Sequence, residues 1–75
     1  MPDLEELAGR LEAVAEDLAD AALERLRANA EAVRSGGEPD AVLVAEEKRI
    51  TRARRAVEKA AGLLGATTGD VDEGP

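Results

Sequence analysis

The sequence predicts an all-α fold: an antiparallel two-helix hairpin, coiled-coil-like in its packing, that dimerises into a four-helix bundle. Three observations predict it. Apolar residues recur at steps of three and four over two long stretches, which is the period of one helix face. Ala, Leu, Glu and Arg, all strong helix formers, dominate both stretches. The helix breakers between them, SGGEP at 35–39, form a link so short that the second helix must turn back along the first.

The first helix is expected over residues 3–34. Its apolar positions are Leu4, Leu7, Leu11, Val14, Leu18, Ala22, Leu26 and Val33, with a gap around Asn29. Pro2, Asp3, Glu5 and Glu6 place proline and negative charge at the positive end of the helix dipole. Arg34 supplies a cation in the last turn, and the glycines after it allow the left-handed conformation that ends many helices. The turn is therefore expected at 35–39. A second helix, 40–64, follows, with Pro39 at its first position or Asp40 as its cap. Its stripe runs Leu43, Ile50, Ala53, Val57, Ala61 and Leu64. Together residues 1–65 form the hairpin. The last ten residues, 66–75 (ATTGDVDEGP), are small, polar and acidic without periodicity, and they read as a disordered tail.

Folding about the centre of the loop brings together residues whose numbers sum to roughly 75. Leu18 then lies near Val57, Leu26 near Ile50 and Leu11 near Leu64. Leu4 and Leu7 fall beyond the end of the second helix and lack a partner within the chain.

Composition narrows the function. A chain of 75 residues makes one domain at most and buries only about 60% of the surface exposed on unfolding, so a single core is marginal. Cysteine and histidine are absent, which removes disulfides and the common structural zinc patterns. Phe, Tyr and Trp are absent too, so the core falls to Leu, Val, Ile and Ala. Oligomerisation or a partner is the remaining source of support. Leu4, Leu7, Leu23, Val42 and Val44 project outside or beyond the intrahairpin stripe and are the expected association surface. No cationic segment followed by an apolar run opens the chain, and no window approaches the ~20 apolar residues of a membrane span. A cytoplasmic protein without membrane contact is expected.

The net charge of −7 is unevenly laid out. Residues 3–34 hold nine acids against four arginines, net −5, while residues 40–64 hold four acids against six bases, net +2. Advancing about 100° per residue places Lys48, Arg52, Arg55 and Lys59 in one outward basic stripe. On the first helix Glu6, Glu16, Asp17, Asp20, Glu24 and Glu31 face away from the apolar stripe. The basic stripe therefore either meets an acidic helix edge or contacts phosphates. Against nucleic acid stand the global charge, the lack of any aromatic for stacking and the absence of a helix-turn-helix spacing.

Both stripes are interrupted at one height by Arg25 and Asn29 on the first helix and by Glu46 and Glu47 on the second. A polar layer in an apolar seam fixes register and partner number at some cost in stability. As a metal or proton-transfer site it lacks ligands, because two adjacent glutamates without histidine fall short of the sets that di-iron bundles use. Ser35, Thr51, Thr67 and Thr68 have no histidine to activate them, and no glycine-rich phosphate loop follows a strand. No cofactor, no metal and no enzymatic activity are expected. The function expected is that of a small helical protein acting through self-association, first as a homodimer, or through a helical protein partner. Nucleic-acid binding by the basic stripe is the alternative.

Overall fold

The computed structural model describes residues 3–65, which form two helices, α1 (Leu4–Arg34) and α2 (Ala41–Gly65). The acidic segment 66–75 lies outside the described residues. Asp3 is not part of α1 but its cap: its backbone is extended, and its carboxylate accepts the Glu5 N–H at 3.1 Å. Glu5 and Glu6 complete an acidic first turn.

α1 ends in a Schellman turn. The N–H of Gly36 donates to the Val33 carbonyl at 3.0 Å and that of Gly37 to the Ala32 carbonyl at 2.9 Å, with Gly36 at φ +93°. The chain is thereby folded back over the last turn of α1. Asp40 caps α2, its Oδ1 accepting the N–H groups of Val42 (2.9 Å) and Leu43 (3.3 Å), so the helix starts at Ala41 and Pro39 stays outside it.

The two helices pack against each other along their length. Among the described residues the only fully buried ones are four alanines, Ala8, Ala15, Ala22 and Ala61. The three on α1 are seven residues apart, so they form one continuous line facing α2. Methyl side chains at the contact let two helix backbones approach closely. Gly65 passes Ala8 at ordinary contact distance: a Cβ on that glycine would stand 3.5 Å from the alanine Cβ.

This seam corrects the stripe expected from large apolar residues. Val14, Leu26 and Val33, assigned to the inward face, are 45%, 50% and 45% exposed. The physical reason is that the stripe crosses the seam. Leu7 and Val14 stand on one side of the alanine line, Leu26 and Val33 on the other, and the leucines at 11 and 18 border it, half-buried.

The register also differs from a fold about residue 37 or 38. Arg25 meets Glu46, Asn29 meets Asp40 and Ala8 meets Gly65, so facing numbers sum to about 69–73 rather than 75. The loop is not a symmetric bend. Because Gly36 and Gly37 run back along α1, the last turn of α1 projects past the start of α2. Neither helix is long and apolar enough to cross a membrane.

Candidate association interface

The polar layer lies at the loop end of the hairpin. Arg25 Nε donates to Glu46 Oε1 at 3.3 Å, and its Nη1 also reaches the Ala21 carbonyl at 3.4 Å. These two side chains, 34% and 35% exposed, form the cross-helix ion pair. Asn29 does not face Glu46 as the spacing suggested. Its Oδ1 accepts the N–H of Asp40 at 2.6 Å, tying α1 to the residue that caps α2. Glu47 turns along its own helix and accepts the Thr51 hydroxyl at 2.8 Å. Of the four residues, then, one pair joins the helices, one anchors the loop and one stays within α2.

Residues seven apart share a flank of the seam. On the flank marked by Arg25 and Glu46, α1 presents Leu4, Leu11 and Leu18, with Leu7, Val14 and Ala21 outside them; α2 presents Leu43, Ile50, Val57 and Leu64, with Ala53 and Ala60 outside. All of these are half-buried or exposed. The opposite flank carries an open cleft of about 410 Å³ lined by Glu12, Ala15, Glu16, Ala19, Glu58, Ala61 and Gly62. Toward the loop the same flank becomes apolar through Leu23, Leu26, Val33 and Val44.

The expected association residues are therefore not gathered into one patch. Leu4 and Leu7 lie on the Arg25 flank at the open end, Leu23 and Val44 lie on the cleft flank near the loop, and Val42, 65% exposed, points outward from α2. Leu7, Leu11, Leu18, Ile50, Val57 and Leu64, expected on the inward face, border the seam on one flank. Alanines at 8, 15 and 22 were the signal that could have located the seam itself.

Lys48, Arg52, Arg55 and Lys59 are exposed along α2, and among the described residues none of them forms an ion pair. The acids Glu6, Glu16, Asp17, Asp20, Glu24 and Glu31 are likewise exposed along α1. Arg54 pairs with Glu58 at 2.9 Å and Arg10 with Glu6 at 3.9 Å, both one turn apart on the same helix. Such pairs contribute about 0.3–0.5 kcal/mol each. Among the described residues no group of His, Cys, Asp or Glu is arranged to hold a metal ion.

The chain matches no protein-family model, no curated protein and no solved structure.

Proposed function

We propose that this is a small non-enzymatic helical protein that works by association, with itself or with a protein partner, in an assembly or regulatory role. One observation carries the reading: among the described residues the only buried ones are four alanines, and no leucine, isoleucine or valine is buried. Burying a Leu, Ile or Val side chain is worth about 1.5–3 kcal/mol, and the lone hairpin leaves part of that unrealised, above all at Leu4, Leu26, Val42 and Leu63, which are 50–70% exposed. A second pair of helices over one flank would realise it, completing a four-helix bundle.

Sedimentation equilibrium at low salt and at about 0.5 M salt tests the reading, because apolar association survives screening and edge pairing does not. A dimer at both salts is the expected result. A monomer in both would remove self-association and send the search to a different helical partner.

The second reading, contact with a polyanion, draws on the exposed cations of α2 that have no acidic partner among the described residues. Four phosphate contacts by Lys48, Arg52, Arg55 and Lys59 would give a salt slope of about −3.6 on duplex DNA. Fluorescence anisotropy of a labelled duplex across a salt series tests it, and no binding at the lowest salt would eliminate it.

A further inference from the structure

We infer that the Arg25 flank is covered by a second copy of this chain, docked with both loops at the same end of the bundle. This rests on the self-association reading and adds the face and the orientation to it.

The flank is the more continuously apolar one in sequence, whereas the cleft flank carries Glu12, Glu16 and Glu58. Leu4 and Val14 are 56% and 45% exposed on it, and Leu7, Leu11, Leu18, Ile50 and Val57 are partly exposed. The charges within it are Arg25 and Glu46, paired at 3.3 Å and both near the loop. A face that copies itself can meet its partner about two kinds of two-fold axis. An axis running across the helices stacks α1 on α1 and exchanges the two ends. Arg25 and Glu46 of each copy would then lie over the leucine and valine stretch of the other, desolvated and with no new partner.

An axis running along the helices stacks α1 of one copy on α2 of the other, and equal heights meet. Arg25 already stands level with Glu46 in its own hairpin, so it comes level with Glu46 of the second copy as well. Two ion pairs become a ring of four alternating charges, each with two opposite neighbours. Glu24 stands 3.7 Å from Arg25 of its own chain and adds one more carboxylate beside each arginine of the ring. At the scale of whole helices, a segment of net −5 lies over one of net +2, rather than over its own like.

The absence of cysteine makes the orientation measurable, since Ser35→Cys gives one spin label per chain, in the loop. The label-to-label distance in the dimer is expected below about 30 Å, set by the width of two packed helix pairs. Loops at opposite ends would put it beyond about 40 Å, because a helix the length of α1 spans about 45 Å. A second pair of variants reads the charge ring. R25E and E46R should each lose at least about tenfold in self-affinity, since like charges then converge from all sides. Mixed in equal amounts, they should form a heterodimer by native mass spectrometry, because the glutamate introduced in the first variant meets the arginine introduced in the second. Circular dichroism checks that both variants remain helical.

Close loop labels with heterodimer formation support the inference. A dimer whose labels lie far apart, or folded variants that never pair on mixing, overturns it and leaves self-association standing. A wild-type chain that is monomeric at every concentration overturns both.

Discussion

Ala15 carries the packing at the scale of single residues, for it lies at the middle of the alanine line and is fully buried against α2. Leucine is nearly as good a helix former, so propensity alone would rate Ala15→Leu as harmless. The seam says otherwise: an isobutyl group forced between closely approaching backbones should cost about 1–3 kcal/mol, read as a lower urea midpoint by circular dichroism. Gly36 is sensitive for a different reason. At φ +93° an L side chain is strained, so Gly36→Ala should cost about 1–2 kcal/mol even though no atom stands within 4 Å of the added Cβ. The turn glycines and the Asp40 cap were legible in the sequence because their chemistry is local. Ala15 was not, because an alanine looks the same in a seam and on a surface until its seven-residue spacing is weighed against the larger residues around it.

At the scale of the helices, both elements and their antiparallel course were legible from periodicity and from one short link. Their register was not. It depends on how the Schellman turn feeds the chain back over Ala32 and on Asn29 reaching the Asp40 N–H, neither of which has a periodic signature. The charge layout belongs to this scale as well. The basic stripe of α2 points away from the Arg25 flank, so reversing Lys48, Arg52, Arg55 and Lys59 to Glu should weaken association at low salt through the overall field. The dimer should persist at about 0.5 M salt, where charges more than about 4 Å apart are screened, and sedimentation at both salts checks this. Gly9 lies in α1 with nothing within 4 Å of an added Cβ. Gly9→Ala should therefore raise helix stability by up to about 1 kcal/mol, measured as a higher melting temperature.

For the molecule as a whole, stability and association are one quantity if the large side chains find their cover in a second copy. The melting temperature should then rise with protein concentration. Replacing Leu4 and Leu7 by Ala, at the open end of the Arg25 flank, should weaken the dimer by about tenfold or more while leaving the helicity of the hairpin little changed; about 1.4 kcal/mol of lost interface energy suffices for that. An unchanged dimer mass in the double variant would take both residues out of the interface. The uneven distribution of fastenings along the seam has a dynamic consequence. The loop end is held by the Schellman turn, the Asn29 tie and the Arg25–Glu46 pair, whereas the open end is held by smooth methyl contacts around Ala8 and Gly65. Apolar contacts hold the open end without directional bonds, so the hairpin should part there before it parts at the loop. Amide exchange would record this as protection that declines steadily from the Asn29 level toward Leu4 and Gly65.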